Sequence, residues 1–152
     1  MDYSQASMSR IFILKLQTGE IVHETLEGFA EKNNIKSAVC LFLGGAEDQS
    51  KLVVGPKDGN ALPVEPVTAL LKGVHEGCGV GTIFCDPQGK PKLHMHGSFG
   101  RNGDAVTGCM RAGVKVWFIG EVVLFELTGS SARREKDLKT GFEILETRQD
   151  SV

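Results

Sequence analysis

The sequence predicts a single α+β domain with a mostly antiparallel sheet of about seven strands and one main flanking helix. One segment, residues 20–33, spaces its apolar residues at the helical period. The other apolar segments are short runs, many of them rich in β-branched and aromatic residues, as is typical of strands. The links between these runs are mostly too short for parallel crossovers, so we expect neighbouring strands to pair antiparallel.

The first half of the chain predicts a strand, the helix and two more strands. Residues 10–16 read RIFILKL, an apolar run typical of a central or half-buried strand. The helix at 20–33 carries acidic residues early and a lysine late, as the helix dipole favours. Residues 37–43 and 51–54 are the next predicted strands, and a glycine pair between them favours a tight turn or a close backbone approach.

The second half predicts a loop, a hairpin and further strands. The loop covers residues 55–66, which glycine and proline interrupt repeatedly. Residues 130–139 are charged and are predicted to form a loop or a short helix. The remaining strands are expected at residues 67–74, at 80–84, within a hairpin over 93–112, at 114–127 as one long strand or two bent at Gly120, and at 142–145.

Length and composition define the domain and exclude several classes of protein. The 152 residues suit one domain over 9–146, with a flexible N-terminus at 1–8 and a frayed tail at 147–152. A net charge of −2 gives no general attraction to nucleic acid or to anionic membranes. We expect a cytoplasmic protein, because no apolar leader or membrane-length apolar run is present and the four cysteines lack CxxC spacing.

The segment LHMHGSFGRNGDAVTGCM, residues 93–110, predicts a tight hairpin. Asn102-Gly103 is a strong signal for a type I′ turn, since both residues tolerate positive φ. A two-residue loop places His96 opposite Cys109 and His94 opposite Arg111. Because side chains alternate along strands, these four residues are expected on one face, opposite an apolar face that would join the core.

This hairpin predicts a metal site. Opposed side chains lie about 5 Å apart and same-face neighbours about 7 Å apart, so His94, His96 and Cys109 can converge on one ion. Two imidazoles and a thiolate suit zinc, and three protein ligands leave one coordination position open. An alternative stays open, in which the histidines are ordinary exposed residues of a polar sheet face and Cys109 is a small buried hydrophobic residue.

Several motifs together resemble the plants-and-prokaryotes-conserved (PPC) domain family over residues 9–146. They are the RIFILKL strand followed by Gly-Glu and the helix, the LHMHGSFGRNG hairpin, the GCMRAG return, and the closing Arg134-x-x-Asp137-x-x-Thr140-Gly141-Phe142. The resemblance implies a homotrimer with a metal pocket near subunit boundaries and a fold similar to the zinc enzyme acetolactate decarboxylase. The family's usual third histidine corresponds to position 109, which holds cysteine here.

The first function class is a small-molecule site in which zinc keeps an open position for a carboxylate-like ligand, and its enzymatic form is a metal-dependent decarboxylase or hydrolase-like activity. Glu121 matches a family glutamate and is an acid–base candidate, with a buried structural ion pair as the alternative. Arg111 is a candidate for holding an anionic ligand, with a solvated surface arginine as the alternative. Val67 stands near another family glutamate position, for which Glu65 is a candidate substitute.

A second function class is a DNA-associated regulatory or interaction module in which the metal is structural or absent. Plant members join this domain to an AT-hook, and no such tract occurs here. The basic cluster at 133–136 is diluted by acidic residues and is interpreted as an ordinary solvated stretch. A structural zinc would need a fourth ligand, for which His75 on a predicted loop is the candidate.

Overall fold

Ten strands, one α-helix and one short 3₁₀ helix make up the computed structural model, which describes residues 1–147. Their bounds, in chain order, are β1 Ser7–Leu16, α1 Val22–Lys32, β2 Ser37–Ala46, β3 Lys51–Pro56, β4 Pro66–Leu70, β5 His75–Cys85, β6 Pro91–Arg101, β7 Asp104–Cys109, the 3₁₀ helix Met110–Ala112, β8 Val116–Thr128, β9 Arg133–Lys136 and β10 Glu143–Glu146.

Eight strands form one sheet in the order β1-β8-β2-β5-β6-β7-β3-β4, and their registered pairs are antiparallel. This confirms the predicted α+β class with a mostly antiparallel sheet and one helix, although the main sheet has eight strands. The prediction of a loop or short helix at 130–139 is wrong, because β9 lies there and pairs with β10. The two strands form a separate hairpin.

The core lies between α1 and one face of the sheet. Val22, Leu26 and Ala30 recur at helical spacing and are fully buried. On the sheet side, Met95 and Phe99 of β6 are also buried, and burial of each such large side chain contributes about 1.5 to 3 kcal/mol. These contacts fix the helix over β6, and the opposite face of the sheet is left uncovered by helix.

Two glycines allow the middle strands to pack closely. A Cβ at Gly97 of β6 would lie 2.8 Å from the ring of Phe99 and 3.0 Å from the sulfur of Met110. A Cβ at Gly81 of β5 would lie 2.6 Å from that of Met95. Side chains at these two positions would therefore push the core apart beneath the hairpin of β6 and β7.

The face of the sheet away from α1, here called the outer face, exposes an apolar row. Ile13, Val123, Leu41 and Val80 are aligned by successive pairings of β1, β8, β2 and β5. Ile13 is 76% exposed and Val80 is 63% exposed. The pairing of β5 with β6 continues this row to His96. An apolar surface thus leads directly to the predicted metal ligands.

The strand pair β3–β4 joins the rest of the sheet at a narrow seam. β7 and β3 share one registered pair in the described chain, Val53 with Cys109. β3 pairs with β4 from Lys51–Leu70 to Pro56–Pro66, with one register shift. The seam therefore lies at the same residue that was predicted to bind the metal.

An ion pair ties β1 to β8 at the opposite edge. The guanidinium of Arg10 donates to both carboxylate oxygens of Glu126, at 2.6 Å from Nε to Oε2 and 2.7 Å from Nη2 to Oε1. Glu126 is 7% exposed. The hydrogen bonds from Arg10 lower the pKa of this carboxyl below its ordinary value, which favours its charged form.

The ends of the chain differ in how far the structure describes them. β1 begins at Ser7, so it includes the last two residues of the N-terminal segment 1–8 that was predicted to be flexible. The tail predicted to fray, 147–152, lies outside the described residues from position 148 onward. Within residues 1–147, no helix combines the length and the apolar character needed to cross a bilayer.

Candidate metal centre

The β6–β7 hairpin has the predicted turn and register. Asn102 and Gly103 have φ values of 53° and 91°, as a type I′ turn requires. His96 lies opposite Cys109, and the hydroxyl of Thr107 donates to that of Ser98 across the strands at 2.9 Å. The local turn chemistry therefore sets which side chains meet on the outer face.

The predicted pairing of His94 with Arg111 is wrong. β7 ends at Cys109, and the next three residues turn into the 3₁₀ helix, whose end is marked by Gly113 at a φ of 113°. The turn removes Arg111 from the ladder but leaves its side chain near the same cavity as His94. Its guanidinium lies over the ring of Phe142, at 5.4 Å from the ring centroid.

His94, His96 and Cys109 form a compact set of donor atoms. One ligand atom from each lies within 4.8 Å of the others. The Nε2 atoms of the two histidines are 3.1 Å apart. Zinc–nitrogen bonds of about 2.0 to 2.1 Å in a tetrahedron place two nitrogens roughly 3.3 Å apart. The imidazoles are therefore spaced closely enough to bind one tetrahedral ion.

The electrostatics around His94 favour the form of this side chain that binds metals. Burial lowers the pKa of His94 below its ordinary value, and the positive charges of Arg134 and Arg111 and the neighbouring His96 lower it further. The neutral imidazole is the form that binds metals. Cys109 is 3% exposed, and a thiolate buried to that degree needs a positive charge beside it, which a metal ion would supply.

The cluster lies between two neighbouring surface cavities, called here the charged lobe and the apolar lobe. The charged lobe, about 560 Å³, is lined by His94 and the ionisable side chains of Glu27, Lys92, Arg134 and Glu143, and by apolar side chains such as Leu93, Ile144 and Leu145. The apolar lobe, about 380 Å³, is lined by Val53, Pro56, Val64, Pro66 and Cys109 among others. His96, Arg111 and Phe142 line both lobes. Each lobe falls within the usual size of a small-molecule pocket.

Arg134 lines the charged lobe, and the sequence interpretation missed it. The prediction of a solvated stretch at 133–136 is wrong for this residue, because it is 5% exposed. Its Nη2 donates to Thr82 Oγ1 at 3.0 Å, and its guanidinium lies 5.7 Å from the ring centroid of Phe84. Alternation along a strand was the sequence signal, since Arg133 and Arg134 point to opposite sides of β9.

Glu121 is not brought to the histidines within one chain. It lies exposed on β8, three strands away from β6, which corresponds to roughly 14 Å at ordinary strand spacing. It forms no ion pair within residues 1–147, so the alternative of a buried structural pair would also need a neighbouring subunit. Its acid–base role stays a prediction, and it would require the site of a neighbouring subunit.

Two further candidates also lie apart from the cluster. His75 begins β5 instead of lying on a loop, is 8% exposed, and has its Nδ1 3.0 Å from the carbonyl oxygen of Gly73. It shares the core-facing side of β5 with Gly77, opposite the histidines, so it cannot be a fourth ligand in its own chain. Glu65 is exposed and pairs with Lys57 at 3.5 Å.

Solved structures from other organisms share this fold. A plant- and prokaryote-conserved (PPC) protein from Pyrococcus horikoshii has a TM-score of 0.83 and 24% identity, covering 98% of this chain and 99% of its own. A metal-containing protein from Archaeoglobus fulgidus has a TM-score of 0.79 and 25% identity, covering 95% and 98%. A putative DNA-binding protein from Bacteroides thetaiotaomicron has a TM-score of 0.73 and 17% identity, covering 93% and 97%.

Sequence comparison gives the family directly. No curated protein matches the chain. The family model of the Plants and Prokaryotes Conserved (PCC) domain matches residues 3–128, which are most of the chain. As the hairpin and its flanking motifs predicted, the chain belongs to the Plants and Prokaryotes Conserved domain family.

Proposed function

We propose that the protein is a homotrimer that binds zinc through His94, His96 and Cys109 and uses the open coordination position to bind a small molecule. The observation that carries this proposal is the set of three donor atoms within 4.8 Å of one another. The similar protein from Archaeoglobus fulgidus, described as metal-containing, supports it. The two lobes beside the cluster supply space for a ligand.

Zinc fits the donor set better than a hard cation would, because imidazole and thiolate are borderline-to-soft ligands. The ion would supply a Lewis acid that polarises an oxygen of the bound molecule. The thiolate of Cys109 would reduce the charge of the ion relative to a site with three histidines. Arg111, exposed beside the cluster, would attract an anionic ligand. A decarboxylase or hydrolase-like reaction is the enzymatic form of the proposal, with Glu121 of a neighbouring subunit as its acid–base candidate.

Zinc analysis of purified variants tests the metal proposal. After loading and gel filtration, the wild type should carry one zinc per chain, and Cys109→Ser should carry much less because hydroxyl is a poor zinc ligand. Ser98→Ala is the matched control, since Ser98 follows His96 on the same face but contributes no ligand. Zinc retained equally by all three proteins would show that the cluster does not bind it.

The homotrimer is supported by the exposed apolar row on the outer face. Leu43 lies on this face at 60% exposure, and a surface of this kind commonly packs against another subunit. Leu43→Lys should lower the mass measured by light scattering toward that of one chain. Leu138→Lys is the control, because Leu138 is 91% exposed and lies between β9 and β10, outside the eight-stranded sheet. A wild-type mass of one chain at micromolar concentration would refute the assembly.

The alternative function is a DNA-associated module, as expected from the family resemblance. The Bacteroides thetaiotaomicron structure described as a putative DNA-binding protein supports it, but at 17% identity the likeness concerns the fold alone. The net charge of −2 opposes strong phosphate binding. We expect weak, sequence-independent binding to duplex DNA. Nanomolar, sequence-dependent mobility shifts at physiological salt would favour the alternative.

A further inference from the structure

We infer that the small molecule is an organic anion with an apolar chain, whose carboxylate or phosphate head group is held by Arg134 and whose chain lies in the apolar lobe. This inference rests on the proposed small-molecule function and names the class of its ligand. It is carried by two independent observations, a buried arginine without an ionic partner among residues 1–147 and an apolar cavity that shares three lining residues with the one that the arginine lines.

Arg134 is placed as an anion receptor. A guanidinium has five N–H donors, and within residues 1–147 this one makes a single side-chain hydrogen bond, to Thr82, and no ion pair. Burial lowers the pKa of Arg134 below its ordinary value, and Glu143, which lines the same lobe, offsets this only in part and forms no ion pair with it within residues 1–147. A charge that is 5% exposed and unpaired is costly, and an anionic ligand would offset that cost.

The side chain is also held in position for this role. Thr82 accepts one donor, and the ring of Phe84 supports the guanidinium plane. The planar fork then has further donors for a carboxylate or phosphate, which it can bind through two parallel hydrogen bonds. Arg111 and Lys92 add positive charge to the same lobe, against two acidic side chains, Glu27 and Glu143.

The apolar lobe is lined by fewer charged side chains than the charged lobe. Its walls include aliphatic and prolyl side chains from β3, β4 and their connecting loop, among them Val53, Val64 and Pro66. Removal of each methylene of a ligand chain from water strengthens binding by up to about fourfold. This lobe therefore favours a hydrocarbon chain over a second polar group.

The two lobes share His96, Arg111 and Phe142 as a common wall. A molecule that fills both must pass this wall, beside the cluster of His94, His96 and Cys109. The head group would lie on the Arg134 side and the chain on the Val64 side. The part of the ligand between them would then face the proposed ion.

Titration calorimetry with defined probes tests the ligand class. Acetate, butanoate, hexanoate, hexyl phosphate and neutral hexanol are each added to zinc-loaded and to metal-free wild-type protein. Hexanoate should bind more tightly than butanoate, butanoate more tightly than acetate, and both hexyl anions more tightly than hexanol. The tighter of the two hexyl anions identifies the head group. Hexanoate binding no tighter than acetate or hexanol would overturn the inference.

Variants assign the two ends of the ligand. Arg134→Gln should weaken the binding of the tighter hexyl anion by at least about tenfold in both metal states, because it removes charge-assisted hydrogen bonds. Arg134→Lys keeps the positive charge but lacks the two parallel donors of the guanidinium, so it should give an intermediate loss of affinity. This variant replaces the glutamine variant in the test if the latter does not fold. Arg133→Gln is the matched control, since Arg133 pairs with Glu135. Val64→Asn should reduce the increase in affinity from acetate to hexanoate and leave the affinity for acetate unchanged.

Zinc content separates failure of this inference from failure of the metal proposal. Arg134 is not among the three donor residues, so Arg134→Gln should keep the zinc content of the wild type. If the wild type takes up no zinc yet binds hexanoate through Arg134, the metal proposal fails and the inference stands. If it takes up zinc but Arg134→Gln binds both hexyl anions as tightly as the wild type, the inference is refuted and the metal proposal stands.

Discussion

Met95 and His96 are adjacent in β6 but face opposite sides of the sheet, so their replacement by alanine should have opposite consequences. Met95 is 1% exposed in the core, and His96 is exposed on the outer face. Truncation of a buried methionine costs about 2 to 5 kcal/mol, whereas surface substitutions usually change stability by at most about 0.5 kcal/mol. Without metal, Met95→Ala should therefore be the more damaging change.

Added zinc should stabilise the Met95→Ala variant but not the His96→Ala variant. A ligand that binds only the folded state at about 100 times its dissociation constant adds about 2.7 kcal/mol of stability. For a protein of this size, that corresponds to a rise in Tm of about 5 to 11 °C. Met95→Ala should show this rise from a lower starting Tm, about 4 to 20 °C below the wild type. His96→Ala should start near the wild type and gain little.

Scanning calorimetry with chelator and with added zinc, at one fixed protein concentration, measures both effects. Elemental analysis of the folded fraction accompanies each scan. The fixed concentration matters because self-association also shifts Tm. An equal zinc content per folded chain in wild type and His96→Ala, or an equal zinc-induced rise in Tm, would refute the metal assignment and leave the histidines as surface decoration.

Three further outcomes are expected. Cys109→His should retain zinc and restore the usual ligand set of the family, as elemental analysis would show. Loss of the metal would mean that histidine cannot replace cysteine as the ligand at this position. Zinc occupancy should fall as pH drops, because imidazole and thiolate must be deprotonated to bind, and dialysis across pH 5 to 8 would measure it. Glu126→Gln should destabilise the protein near neutral pH. Because Arg10 lowers the pKa of Glu126, its stabilising effect is present above the ordinary value of about 4.3 and is lost as pH falls through the lower folded value. Urea unfolding at several pH values should therefore show the difference between variant and wild type shrinking in acid, and a constant difference would contradict the coupling.

Local signals predicted the centre of the site because they depend on few residues. Asn102-Gly103 determines the turn, the turn determines the register, and the register places His96 opposite Cys109. The helix was predicted for a similar reason, since the burial of Val22, Leu26 and Ala30 follows their spacing. Both features arise within about 20 consecutive residues, and distant parts of the chain do not alter them.

The features that were missed depend on contacts between distant parts of the chain. Arg134 is buried because its strand lies against β5, where Thr82 and Phe84 are found, some 50 residues earlier. His75 was assigned to a loop because glycines surround it, yet β5 continues through them in pairing with β2 and β6. The distance of Glu121 from the histidines follows from the strand order, which hydrophobic periodicity does not contain.

The narrow seam between β7 and β3 gives Cys109 a second importance. Its backbone belongs to the one registered pair that joins these strands in the described chain, and its sulfur is one of the three donors. An ion bound there would link β6 to β7 at the place where the strand pair β3–β4 joins the rest of the sheet. Since β3, β4 and their loop form the wall of the apolar lobe, loss of the ion would loosen that wall first. Cofactor loading and the shape of the cavity would thus be governed by the same few atoms.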